Sequence, residues 1–188
     1  MDTAHFLDPI FKPQSIAIIG ASTQVEKWGH RMVARPFNTG FRGNLYPVNP
    51  GAKEISGVEC FPSISDLPPN IDLAVVTLPA HQVPEALRQC IRQGIRGAVI
   101  ISAGFAEAGP DGKKLQDELL SIAREGRIPL VGPNCMGLWS EPVSLNLAFE
   151  EAPMRGSLTF ISQSGTLGNY LMLLAKGKGY GFRGFVSG

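Results

Sequence analysis

Five short apolar runs, at 15–19, 44–48, 73–78, 97–102 and 128–131, recur along this chain, separated by longer segments of helical period. The runs are rich in Val, Ile and Leu and lack polar alternation, the pattern of strands covered on both faces. Helices are expected between them, over 28–38, 82–93 and 112–125. The second carries Pro84 near its first turn and stops at Gly94; the third aligns Leu115, Leu119 and Ile122 and stops at Gly126. Strands alternating with helices of this length need right-handed crossovers and build a parallel sheet. Residues 1–139 are therefore expected to form a Rossmann-like α/β domain.

The texture changes after that point. Residues 140–156, "SEPVSLNLAFEEAPMRG", have no regular period and read as a linker. A fresh unit begins at 157: a strand "SLTFIS", a turn "QSGT", a helix "LGNYLMLLAKGKG" and a strand "FRGFVSG". One βαβ unit of this size cannot cover its own sheet. Residues 157–188 are thus expected to be the incomplete start of a second α/β domain, to expose Leu171, Leu173 and Leu174, and either to self-associate or to dock onto the first domain.

Charge and cysteine content narrow the function. With 17 basic and 16 acidic side chains the formal net charge is +1, so no global field draws in nucleic acid or an acidic membrane. Any anion site must be local. Cys60, Cys90 and Cys135 are odd in number and lack metal-ligand spacing, so no metal site is expected. No apolar stretch approaches the roughly 20 residues that span a bilayer, and the start lacks signal-peptide character. The expectation is a reduced, cytoplasmic protein.

In a doubly wound sheet, ligands bind beyond the carboxyl ends of the strands. The first run ends there in Gly20, Ala21 and Ser22, either a tight turn or a cradle where backbone N–H groups meet a phosphate. It is not the dinucleotide fingerprint: G-x-G-x-x-G is absent, and the second run ends in Val48, Asn49 and Pro50, with no acidic residue to hold a ribose. Lys27, Arg31 and Lys53 fall around the same crevice, which suits a ligand with more phosphate than NAD; solvated surface cations are the other reading. Later strand ends are also small or bent, in "TLPA" at 77–80, "ISAGFAEAG" at 101–109 and "GPNCMG" at 132–137. Open ends in a row fit a long ligand lying across the sheet.

The motifs "SIAIIGAS", "YPVNP", "DLAVVTLPA", "VIISAGFAEAG", "GPNCMG" and "FISQSGTLG", in this order and spacing, resemble the coenzyme A-binding region of the NDP-forming acyl-CoA synthetases. That superfamily includes the succinyl-CoA synthetase alpha chain, ADP-forming acetate–CoA ligase and the synthetase-like region of bacterial protein acetyltransferases. The resemblance implies that CoA or acyl-CoA is bound, with Gly20, Ala21 and Ser22 on its phosphates and Lys27 close by. It places Asn49, Pro50 and Lys53 at the nucleotide end. Leu78, Pro79, Ile101, Ser102 and Ala103 would border the cofactor's path, and Asn134 would sit near the thioester; a plain turn role for Asn134 stays open. Ala103 stands where the succinyl-CoA branch carries a glutamate.

The resemblance also implies that the second unit is flavodoxin-like and that Ser162, Gln163, Ser164, Gly165 and Thr166 hold a phosphoryl group at a helix start. Ser164 or Thr166 as a simple N-cap is the alternative. The family's phosphate-carrying histidine is not among His5, His30 and His81, and ATP and Mg would act only through an ATP-grasp domain or subunit outside these residues. This chain alone is thus expected to bind CoA and to catalyse nothing, with Cys135 no nucleophile. Two readings follow: the CoA-binding portion of an ADP-forming acid–CoA ligase, or a CoA-sensing region of a protein acetyltransferase or free-standing CoA-binding protein.

Overall fold

The computed structural model describes residues 3–188. The apolar runs become β1 (Ser15–Ile19), β2 (Asn44–Val48) and, after a small hairpin of β3 (Glu54–Ile55) and β4 (Val58–Glu59), β5 (Leu73–Val76), β6 (Gly97–Ile100) and β7 (Leu130–Val131). They form one parallel sheet in the order β2-β1-β5-β6-β7. From β1 the chain steps to β2 on one side and returns to β5 on the other. The strand order therefore reverses between β1 and β5, which opens a crevice at their carboxyl ends.

Helices cover both faces: α1 (Thr3–Phe11) and α2 (Trp28–Asn38) on one, α3 (Val83–Arg92) and α4 (Pro110–Glu125) on the other. The strand period of two divides each run between two cores. Ile16 and Ile18 pack with Met32 and Val33 of α2, while Ala17 and Ile19 pack in the cluster holding Leu87 of α3 and Leu119 of α4. Burying each such large aliphatic side chain stabilises by about 1.5–3 kcal/mol, so the double coverage explains why no polar residue interrupts β5 or β6.

Three local expectations shift. The strands expected over 73–78 and 97–102 end at Val76 and Ile100, leaving residues 77–78 and 101–102 as the sheet's upper rim. Helix α4 starts at Pro110 rather than Gly112, the proline occupying a position where its missing N–H has no helical partner to lose. Helix α1 was not expected, because Pro9 interrupts its pattern; Ile10, 1% exposed, joins the core on the α2 side.

The linker expectation at 140–156 is corrected. Strands β8 (Leu138–Ser140) and β9 (Leu145–Asn146) join β10 (Arg155–Ser162) and β11 (Phe182–Ser187) in a second sheet of order β10-β11-β8-β9, with α5 (Gly165–Gly177) between β10 and β11. The β10–β11 pair is parallel and its partners β8 and β9 are antiparallel. The cause lies in "LNLAF": Leu145 and Leu147 belong to the core beside α2, while Ala148 and Phe149 pack with Trp139, Phe182 and Phe185. Buried Asn146 ties the turn by accepting from the Ala148 and Phe149 amides and donating to the Phe149 carbonyl. The segment thus stitches the two sheets together. Strand β10 remains an edge, and Leu158, Ile161, Leu167, Tyr170, Leu173 and Leu174 are exposed on it and on α5; Leu171, expected to be exposed with them, is only partly so.

Candidate functional site

A cleft of about 530 Å³ opens at the carboxyl ends of the first sheet. The residues after β5 (Thr77, Leu78, Pro79), after β6 (Ile101, Ser102, Ala103) and after β7 (Asn134, Cys135, Met136) line it. Lys27 and Trp28, at the start of α2, and Gln163 and Gly165, in the turn into α5, complete it together with Ser187. The start of α2 and the turn into α5 therefore meet at one cavity, with the turn of residues 20–22 beside it rather than in its lining.

Close backbone approach shapes the first turn. Gly20 has a φ of +87°, and a Cβ there would lie 2.9 Å from Leu78 and 3.0 Å from the Thr77 hydroxyl. That hydroxyl donates to the Gly20 carbonyl at 3.0 Å, tying the β1 end to the β5 end. A Cβ on Gly29 would sit 2.2 Å from the Gly20 carbonyl oxygen, so the first turn of α2 rides directly on the β1 turn. This leaves the positive end of α2, with Lys27 immediately before it, at the cleft. His30 adds a second tie, its Nδ1 3.1 Å from the Ser22 carbonyl and its Nε2 3.4 Å from the Ser56 hydroxyl.

Polar bonds lock the other strand ends in register. The Ser102 hydroxyl donates to the Leu78 carbonyl at 2.5 Å, and the Asn134 amide donates to the Ser102 carbonyl at 2.9 Å. Asn134 adopts a left-handed φ of 55°, so its turn geometry and its place in the cleft coexist. The Cys135 thiol donates to the Ile100 carbonyl, and burial pushes its pKa up to about 11. This burial disfavours the thiolate that a cysteine nucleophile needs.

In the second turn, Ser164 is the N-cap of α5: its hydroxyl accepts from the Leu167 amide at 3.2 Å. The Ser162 hydroxyl accepts from the Ser164 amide and donates to its carbonyl. Capping and anion binding are compatible here, because the remaining first-turn N–H groups have no partner within the helix. Gly165 lies so close to Met136 that a Cβ would overlap its side chain, which brings the start of α5 onto the loop after β7.

Of the residues expected at the site, Lys27, Leu78, Pro79, Ile101, Ser102, Ala103, Asn134, Gln163 and Gly165 line the cleft. Gly20 and Ser22 shape the adjoining turn; Ser162, Ser164 and Thr166 belong to the second turn without lining the cavity. Ala21 is a core residue, 3% exposed, so its small size serves packing. Asn49, Pro50 and Lys53 lie off the cleft near the end of β2, where Asn49 donates to the Ala21 carbonyl at 2.7 Å and accepts from the Gly51 and Ala52 amides. Trp28, Thr77, Met136, Ser187 and Gly29 were missed. Only Gly29 carried a signal: glycine in a first helical turn costs about 1 kcal/mol against alanine, which marks a close approach.

A parallel sheet whose strand order reverses beneath a cleft, rimmed by two helix starts, defines a Rossmann-like α/β domain with its ligand crevice at the strand ends. Residues 14–140 match the CoA binding domain family, and the chain belongs to it. The chain is 41% identical over 182 residues to acetate–CoA ligase [ADP-forming] I of Archaeoglobus fulgidus, covering 96% of this chain and 26% of that protein. It is 37% identical over 181 residues to the alpha subunit of acetate–CoA ligase [ADP-forming] II of Pyrococcus furiosus, covering 96% and 39%. The apo structure of a dinucleotide-forming acetyl-coenzyme A synthetase 1 of Ca. Korarchaeum cryptofilum superposes with a TM-score of 0.90 at 36% identity, covering 96% of this chain and 39% of that one. The chain thus spans between a quarter and two fifths of the length of these proteins, and it matches the CoA-binding region of ADP-forming acetate–CoA ligases. Among the described residues, no helix is long and apolar enough to cross a membrane, and no group of three or more His, Cys, Asp or Glu side chains could hold a metal.

Proposed function

We propose that this chain is the CoA-binding portion of an ADP-forming acid–CoA ligase, a protein that converts an acid, CoA and ATP to acyl-CoA, ADP and phosphate. The observation that carries the reading is the meeting of the α2 start and the α5 start at one cleft, with three strand ends between them. A long cofactor anchored by its phosphates at the first turn reaches the second along the β5, β6 and β7 ends. The turn 20–22 and Lys27 hold the pyrophosphate, Lys53 and the β2 end meet the nucleotide, and residues 78–79 and 101–103 flank the arm. Asn134 lies beside the thiol end. The turn 162–166 receives the phosphoryl group, its N–H groups and the helix dipole stabilising the negative charge.

The first, parallel sheet with its helices forms the CoA-binding unit, and the second sheet of β8 to β11 with α5 opens the phosphoryl-handling unit. The phosphate-carrying histidine belongs to the part of the second domain outside these residues, and ATP and Mg belong to an ATP-grasp domain or subunit. Calorimetric titration with CoA, acetyl-CoA, NAD and ADP tests the reading. CoA and acetyl-CoA should bind more tightly than NAD, and incubation with ATP, magnesium, CoA and short carboxylic acids should yield no acyl-CoA. Tighter binding of NAD, or phosphate appearing on His5, His30 or His81, would overturn it.

A further inference from the structure

Trp28 lines the cleft although no motif marks it. It opens α2 directly after Lys27 and keeps 37% of its surface exposed. The ring is held from its own helix: the guanidinium carbons of Arg31 and Arg35 lie 5.5 Å and 5.4 Å from its centroid, within cation–π range. Arg35 is no loose surface cation. It is 7% exposed, pairs with Glu150 at 2.9 Å and donates to the Leu147 and Ala148 carbonyls. A guanidinium is buried at such a place only when partners fix it. The segment 147–150 therefore holds Arg35, and Arg35 holds the ring.

The ring shares the cleft with Leu78, Pro79, Ile101 and Met136, while Ser102 and Asn134 supply polar groups. Apolar walls with a few polar points suit a slender chain of alternating alkyl and amide groups better than a compact charged head. We propose that Trp28 is the wall against which the pantetheine arm of CoA packs, and that Arg35 is the positioning residue that keeps the ring there. The proposal rests on the CoA reading above and adds a residue that determines which part of the cofactor is gripped.

The chain supplies its own reporter. Its other tryptophan, Trp139, is 1% exposed, with its indole N–H bonded to the Phe182 carbonyl, so a ligand in the cleft alters the emission of Trp28. CoA, 4′-phosphopantetheine and ADP are titrated in parallel by tryptophan fluorescence and calorimetry. CoA and 4′-phosphopantetheine should change the emission, and ADP should bind without changing it. Trp28→Ala should weaken CoA and 4′-phosphopantetheine by about tenfold and leave ADP unaffected, with Trp28→Phe recovering most of the loss. Arg35→Met should weaken CoA in the wild-type background and add nothing in the Trp28→Ala background, a coupling that general destabilisation does not produce. If Arg35→Met does not fold, Glu150→Gln perturbs the same anchor and should show the same coupling. CoA that binds by calorimetry with unchanged emission and full affinity for Trp28→Ala would overturn the proposal and leave the CoA reading standing. An emission change with ADP equal to that with CoA would also overturn it, by placing the nucleotide on the ring. No binding of CoA to the wild-type chain would overturn both.

Discussion

Adding one methyl group at Gly29 should separate fold from cofactor binding. The Cβ of Gly29→Ala would stand 2.2 Å from the Gly20 carbonyl oxygen, 3.1 Å from the Ser22 amide and 3.2 Å from the Ala21 carbonyl carbon. All three are backbone atoms of the β1 turn, so no side chain can swing aside. Restoring ordinary contact of 3.4 Å requires α2 and the turn to part by about 1 Å. Overpacking of this kind costs about 1–3 kcal/mol, and alanine's better helix propensity offsets about 1 kcal/mol. A net loss of up to about 2 kcal/mol lowers Tm by up to roughly 8 °C in a chain of this size. CoA should suffer more, because the shift carries Lys27 and the α2 N–H groups away from the phosphate. A drop in affinity of about tenfold or more is expected, measured calorimetrically well below the melting transition. Gly177→Ala is the control: nothing lies within 4 Å of its Cβ at the exposed end of α5. It should be neutral or stabilising by about 0.5–1 kcal/mol, with CoA affinity unchanged. Wild-type affinity in a folded Gly29→Ala protein would refute the claim that close seating of α2 builds the phosphate site.

Asp72 should set part of the acid stability. Burial raises its pKa, but hydrogen bonds from Arg96, the Gln14 amide and Ser15 outweigh this and hold it below the usual carboxylate value. Its contribution is then present above the unfolded-state value of about 4 and is lost as pH falls through the lowered folded-state value. Asp72→Asn should cost about 1–3 kcal/mol at pH 7 and flatten the decline of stability on acidification; equal slopes in denaturant titrations at several pH values would contradict this. Burial pushes Cys90 to about 12 and Cys135 to about 11, whereas Cys60 is only half-buried and its pKa is raised less, by burial and then by Glu54. A thiol reagent at pH 8 should therefore label Cys60 first, read by peptide mass spectrometry, and early labelling of Cys135 would mean an opened cleft. The exposed Leu167, Tyr170 and Leu173 of α5 should drive concentration-dependent self-association in light scattering, relieved by Leu173→Glu. A wild-type monomer at every concentration would count against it.

Much of the site was legible because it lies where strands stop. The strand ends at 20–22, 77–80, 101–109 and 132–137 could be singled out where an apolar run gives way to small or bent residues, the family resemblance narrowed them to residues such as Leu78, Ile101, Ser102 and Asn134, and the sheet's parallel topology puts those ends on one side. Asn49 was legible as the absence of an acidic ribose partner and, through the resemblance, as a residue at the nucleotide end. Its bonds to the Ala21 carbonyl and the amides of residues 51 and 52 give it a structural task that no local pattern encodes. Ala21 was open to misreading for the same reason, since smallness suits both a ligand's approach and a crowded core.

The amino-acid sequence by itself determined the five strands of the parallel sheet, the helices between them and the class of fold. Period two in β1 sends Ile16 and Ile18 one way and Ala17 and Ile19 the other, and this depends only on neighbours along the chain. Tertiary structure decided which distant residues meet. Arg35 finds carbonyls more than 110 positions away, Gly165 seats α5 against Met136, and the aperiodic residues 140–156 become strand and core because Leu145, Leu147 and Phe149 have apolar surface to cover on both sides. The pattern of a strand or helix is written at short range. Burial and pairing across the chain depend on three-dimensional distance, which no local period contains.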